Sequence, residues 1–217
     1  MEKYRVVSYG SERDALDKLL SVVRPDDTVF DIGASVGLYT MALLSQCPKG
    51  EIVAFEPDPE TAKRLKQNIT LNPFPNVRVI EWGVSQSEGE MELYTAGSGG
   101  FAPTLAKTNR FKETVKIPTN SLDNALALGN LPIPDVLKVD IEGAEVLCIR
   151  GAKRLLLGEF SKRPRLLFIE FHPEWMIDFG ATIEILTAEI ESAGYHAIWR
   201  SDRDKQTHIL YSMVESI

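Results

Sequence analysis

The sequence predicts a single doubly wound α/β domain built on a mostly parallel sheet. Three observations carry that expectation. Short apolar runs rich in Val, Ile and Phe alternate with segments of helical periodicity. The early order is strand, helix, strand, helix, strand, the pattern of parallel strands joined by helical crossovers. The 217 residues suit one domain of ~100–200 residues with short decorations.

Each element follows from local chemistry. Ser11 and Asp14 form a capping-box pattern, and Leu16, Leu19, Leu20 and Val23 fall at helical spacing. This predicts a helix over Ser11–Val23, inside an N-terminal extension over residues 1–25. Thr28–Ile32 reads as a buried strand, and a helix is expected from Val36 to Gln46, stopped by Pro48 and Gly50. Ile52–Phe55 is a second strand. Asp58-Pro59-Glu60 places an N-cap acid before a proline at the first helical position, so a helix starts there. Asn72–Pro75 ends it, and Val77–Ile80 is a third strand.

The middle of the chain departs from this pattern. Met91–Thr95 and Glu113–Ile117 alternate like exposed strands, flanking the glycine-rich stretch Gly97–Pro103. Residues 91–118 are therefore read as an insertion with a mobile loop. Asn120 or Ser121 caps a short helix through Leu128. The α/β order then resumes with strand Val136–Val139, helix Ala144–Leu157, strand Leu166–Ile169 and helix Ile183–Ala193. Tyr195–Trp199 and Thr207–Tyr211 close the chain, joined by the charged turn Asp202–Lys205. That turn predicts an antiparallel last strand.

Composition excludes several classes. The net charge of −7 argues against a dedicated nucleic-acid surface, which needs clustered cations. The densest basic group, Lys162-Arg163-Pro164-Arg165, reads as a solvated loop. Cys47 and Cys148 lack metal-ligand spacing and read as buried reduced thiols of a cytoplasmic protein. No apolar run reaches the ~20 residues a membrane span needs, and the N-terminus lacks a signal-peptide pattern.

The loop after the first strand, Asp31-Ile-Gly33-Ala-Ser-Val-Gly37, lies where open α/β sheets bind ligands. Gly33 permits a tight turn, and Gly37 lets the following helix approach the sheet. The spacing is not the GxGxxG of dinucleotide sites, and Asp31 would repel a pyrophosphate. S-adenosylmethionine carries an ammonium and a sulfonium instead, so an acid there is favourable. Glu56, ending the second strand, can accept hydrogen bonds from ribose hydroxyls, as in nicotinamide enzymes. The expected cofactor contacts are Asp31, Gly33, Ala34, Ser35, Gly37, Leu38 and Tyr39 around the loop. Glu56, Pro57, Asp140 and the small residues Gly83 and Val84 complete the set. Trp82 is a weaker candidate for stacking on the base.

A second constellation ends later strands. Lys138-Val-Asp140-Ile-Glu142-Gly143-Ala-Glu145 and Glu170-Phe-His172-Pro173 place Asp140, Glu142, Glu170 and His172 at the same end of the sheet as Asp31. They are the expected catalytic group. Positioning a nucleophile in line with the methyl supplies most of the acceleration, and His172 is the natural base. Glu170 alternatively pairs with Lys138, and Glu145 favours a helix N-terminus. Metal-free chemistry is preferred over a divalent ion held by Asp140, Glu142 and Glu170. His196 and His208 read as structural.

At these residues the chain resembles the FkbM family of methyltransferases. The matching stretches are Val29–Thr40, Phe55–Asp58, Thr119–Asp123, Lys138–Glu145 and Ile169–Pro173, with the DxEGxE element the most specific. The resemblance covers roughly Asp27 to Pro173. It implies a class I methyltransferase fold of seven strands and transfer to a hydroxyl, often on a sugar or natural product. It also implies that Asp31, Gly33, Gly37 and Glu56 contact the cofactor, while Asp140, Glu142 and His172 line the reaction site. Ser35 departs from the family, which often has asparagine there. The leading expectation is an O-methyltransferase acting on a small molecule, sugar or glycan. A methyltransferase of RNA or protein, and a non-catalytic binding protein of similar fold, are the alternatives.

Overall fold

The computed structural model describes residues 12–71, 75–95, 103–106, 113–203 and 205–213. Helix α1 (12–20) precedes β1 (Thr28–Ile32), α2 (Leu38–Gln46), β2 (Glu51–Phe55), α3 (Pro59–Thr70) and β3 (Val77–Ile80). Then come β4 (Gly83–Val84), β5 (Gly89–Thr95), β6 (Glu113–Asn120), α4 (Leu122–Ala127), β7 (Val136–Val139), α5 (Glu145–Gly151) and α6 (Lys153–Leu156). The last elements are β8 (Leu166–Phe171), α7 (Pro173–Met176), α8 (Ile183–Ser192), β9 (Tyr195–Asp202) and β10 (Thr207–Met213). Several sequence readings fall partly outside the described residues: 1–11 of the N-terminal extension with Ser11 of its capping box, 72–74 of the helix breaker, 96–102 and 107–112 of the insertion with most of its glycine-rich loop, and 204 of the charged turn.

The main sheet has seven strands in the order β3-β2-β1-β7-β8-β10-β9. Strands β1, β2, β3, β7 and β8 pair in parallel. Strand β10 inserts between β8 and β9, antiparallel to both, as the charged turn predicts. The order turns outward in both directions from β1 and β7, which creates the crevice where α/β sheets bind ligands. The insertion forms a separate three-stranded sheet, β4-β6-β5.

Side-chain alternation sends the two faces of each strand to different helices. Phe30, Phe55, Leu137 and Ile169 pack with residues of α4, α5, α6 and α8. Val29, Ile52, Val136 and Phe168 pack with α1 and α2. The Phe30 and Phe55 rings lie 5.3 Å apart, and burying each contributes about 1.5–3 kcal/mol. Asp58 caps α3 as expected, accepting from Thr61 N at 2.8 Å.

Two boundaries differ from the sequence reading for identifiable reasons. The helix expected over Ala144–Leu157 divides at Ala152 into α5 and α6. Asp123 of α4 restarts it by accepting from Arg154 N and Leu155 N at 2.8 and 2.9 Å, which satisfies amides that a helix start leaves free. Helix α2 starts at Leu38 because Gly37 adopts a left-handed conformation as its N-cap. A Cβ on Gly37 would meet Leu65 of α3, so the close approach is to that helix rather than to the sheet.

The basic group before β8 is not one solvated loop. Lys162 pairs with Asp135, Arg163 donates to Ala193 O at 3.1 Å, and Arg165 joins Asp27 and Val22 O. Both cysteines are buried free thiols. No helix among the described residues is long and apolar enough to cross a membrane.

Candidate active site

Alternation places Asp31, Lys138, Glu170 and His208 on the α1/α2 side of the sheet, at the C-terminal ends of the parallel strands. Asp31 is in register with Lys138, and Glu170 with His208. Lys138 Nζ lies 3.0 Å from Asp31 Oδ1 and 3.6 Å from Asp140 Oδ2. It also donates to Gly33 O at 3.0 Å. Burial alone would discharge this lysine, but the Asp31 and Asp140 charges hold its pKa above the ordinary value. Its partner is therefore Asp31 rather than Glu170. Asp31 has no exposed surface and accepts from Thr40 Oγ1 at 2.5 Å. Its expected contact with a cationic ligand gives way to an internal ion pair that fixes the glycine loop.

An open cleft lies beside this layer. Gly33, Ser35, Glu56, Pro57, Gly83, Val84, Asp140 and Glu142 line it, so most expected contacts meet here. Ala34, Gly37, Leu38 and Tyr39 stand behind it. Ala34 packs on Leu65, and Tyr39 donates to Glu12 at 3.2 Å. Trp82 does line the cleft and sets its edge against Phe55 at 5.1 Å. Sequence reading missed the apolar wall formed by Leu93, Pro103 and Leu105, because nothing local marks an inserted sheet as folding back over the loop.

Glu56 ties the loops after β1 and β2 together. Its carboxylate accepts from Ser35 N and Asp58 N, each at 2.9 Å. Burial pushes its pKa up to about 7 against those two hydrogen bonds. Ser35 is left-handed, with φ 52°, a conformation asparagine tolerates well.

Behind the Asp140 and Glu142 wall of the cleft is a carboxylate cage around His172. Asp140 and Glu142 face the cleft, while His172 and Glu170 sit deeper, 6% and 4% exposed. His172 Nε2 lies 3.3 Å from Glu142, 3.7 Å from Glu170 and 3.9 Å from Asp140. The Gln206 amide is 3.2 Å away. Nδ1 meets Glu145 at 2.8 Å. Glu145 is fully buried and also accepts from Gly143 N at 2.9 Å, so it orients the imidazole as well as opening α5. No local signal shows this contact, which joins the start of α5 to the end of β8. Burial would lower the His172 pKa, yet the Glu145 hydrogen bond and the surrounding carboxylates push it up to about 10. Burial raises Glu142 and Glu170.

Glu142 has a left-handed φ of 53°, strain of about 1–3 kcal/mol of the kind found at functional sites. Thr104 Oγ1 donates to its carbonyl at 2.6 Å, so the inserted segment helps to hold it. His208, read as structural, is fully buried beside Glu170, and His196 is exposed.

The model of the methyltransferase FkbM domain matches residues 31–197. Hexuronic acid methyltransferase AglP of Haloferax volcanii is 28% identical over 155 residues, covering 71% of this chain and 62% of that protein. 2-O-methyltransferase NoeI of Sinorhizobium fredii is 25% identical over 163 residues, covering 68% and 64%. The chain thus matches just under two thirds of these relatives' lengths. A crystal structure of methyltransferase FkbM from Methylobacillus flagellatus superposes with a TM-score of 0.60 at 20% identity, over 88% of this chain and 45% of that one. Precorrin-6y C5,15-methyltransferase of Geobacter metallireducens gives 0.54 at 16% identity, over 94% and 87%. Because the family model runs from the glycine loop through both acidic strand ends into β9, the chain belongs to the FkbM family of methyltransferases.

Proposed function

We propose that this protein transfers the methyl group of S-adenosylmethionine to a hydroxyl of a small molecule, sugar or glycan. One observation carries the reading: a single cleft is lined by Glu56, Asp140 and Glu142, and His172 lies directly behind Glu142 at 3.3 Å. Its charged lining groups among the described residues, Glu56, Asp140 and Glu142, are all acidic. That suits a cationic cofactor and opposes a pyrophosphate. AglP and NoeI, named for a hexuronic acid and for 2-O-methylation, support a sugar hydroxyl as acceptor.

In this reading Glu56 receives the ribose hydroxyls, and the Lys138–Asp31 pair holds the loop in place. When bound, S-adenosylmethionine would supply the methyl that the acceptor oxygen takes as the sulfur–carbon bond breaks, leaving a neutral thioether; Asp140 and Glu142 would position that oxygen. The hydroxyl proton leaves through the cluster of Asp140, Glu142 and His172, with Glu145 steadying the ring.

The test is turnover of methyl-labelled cofactor with a panel of glycans and small alcohols, followed by product analysis. Label on a sugar or alcohol oxygen is expected. Label found only in RNA or protein would favour the alternative acceptors. His172→Ala is expected to lower kcat by about 100-fold or more, with cofactor affinity within twofold of wild type. Full turnover in that variant would contradict the role of the cluster.

A further inference from the structure

The reacting end of the cleft holds more negative charge than a methyl acceptor needs. Four carboxylates surround one imidazole, three of them around Nε2. Glu170 is 4% exposed and lies 3.7 Å from His172 Nε2 and 2.9 Å from His208 Nε2. Buried carboxylates this close together need positive charge among them, supplied by a protonated His172 or by a metal ion that displaces its proton.

The donor atoms are already arranged for one. Asp140 Oδ1, Glu142 Oε2 and His172 Nε2 lie within 4.8 Å of one another. Ligands ~2.1 Å from an octahedral ion sit about 3 Å apart in adjacent positions. The separations of 3.3 and 3.9 Å from Nε2 therefore close with small side-chain shifts. Lys138 faces Asp140 Oδ2, which leaves Oδ1 toward His172. Glu145 holds Nδ1, the carboxylate–histidine support that orients metal-binding imidazoles. Asp140 and Glu142 border the cleft, so an ion there keeps positions open to a ligand.

We propose that Asp140, Glu142 and His172 bind a divalent cation of the Mg²⁺ or Mn²⁺ class, with Glu170 as a buried third carboxylate beside them. Carboxylate-rich sites favour such hard ions. The ion would take an acceptor hydroxyl oxygen beside the methyl and make its proton easier to lose. That role rests on the methyl-transfer reading, whereas the binding itself does not. A neighbouring group, Glu12, Glu170 and His208, is less prepared. Arg203 and Tyr39 already occupy Glu12, and no carboxylate supports the His208 ring from behind.

The test is titration of the chelator-stripped full chain with Mn²⁺, followed by the loss of the free-ion signal in electron paramagnetic resonance. One Mn²⁺ per chain is expected. Glu142→Gln and His172→Ala, checked for folding by circular dichroism, should each weaken binding at least tenfold. Glu12→Gln should bind as wild type. No binding, equal binding in all variants, or loss only in Glu12→Gln would overturn the proposal. Cofactor titration in the presence of chelator separates the two readings. Cofactor binding without Mn²⁺ binding sinks the metal alone, and Mn²⁺ binding without cofactor binding sinks the methyl-transfer reading.

Discussion

Replacing Gly33 with alanine is expected to abolish cofactor binding and to destabilise the fold. Gly33 has φ +80°, and a Cβ there would stand 1.7 Å from Asp140 O. That carbonyl cannot retreat cheaply. Asp140 N donates to Ile32 O at 3.0 Å, so the approach is between two backbones on neighbouring strands. Overpacking costs about 1–3 kcal/mol or more, and the left-handed backbone adds about 1–3 kcal/mol. The substitution also pushes apart Gly33 and Asp140, which both line the cleft. Urea denaturation and calorimetric titration of the variant check both effects. A variant that keeps wild-type stability and cofactor affinity would show that this crossing is not the hinge of the site.

Lys138→Met is expected to cost about 3–5 kcal/mol, the usual loss when one member of a buried ion pair is removed. Asp31 has no exposed surface, and among the described residues only Thr40 would remain beside it as a side-chain donor. Against a total stability of about 5–15 kcal/mol, that is a large fraction. The same change frees Gly33 O from its hydrogen bond, so cofactor affinity should fall as well. The double substitution Asp31→Asn, Lys138→Met should recover most of the lost stability, because the orphaned charge is gone. Equal stability of the single and double variants, measured by urea denaturation, would contradict the pairing.

Much of this architecture is legible in the sequence, because local chemistry dictates it. The Asp58-Pro59-Glu60 start, strands β3 and β7, and the turn before the antiparallel strand each follow from propensity and spacing. Contacts between distant segments are less legible. The carboxylate of Asp31 reads as a ligand contact until its strand neighbour Lys138 is known, since strand order is not written locally. The Glu145–His172 contact likewise depends on how α5 packs beside β8. The split between α5 and α6 needs Asp123, which comes from another helix. Glu56, Asp140 and Glu142 end strands near the switch point, so topology alone brings them to the cleft.

The central claim is that the cleft receives S-adenosylmethionine through Glu56. Calorimetric titration of wild type and Glu56→Gln with that cofactor at pH 6 and pH 8 tests it most directly. Burial pushes the Glu56 carboxyl up to about 7, so it must lose its proton before it can accept fully from the ribose. Wild-type affinity should therefore rise about tenfold between the two pH values. Glu56→Gln should bind at least tenfold more weakly at pH 8 and show little change with pH. Absence of binding heat in the wild type, or equal affinity and pH dependence in the variant, would contradict the account.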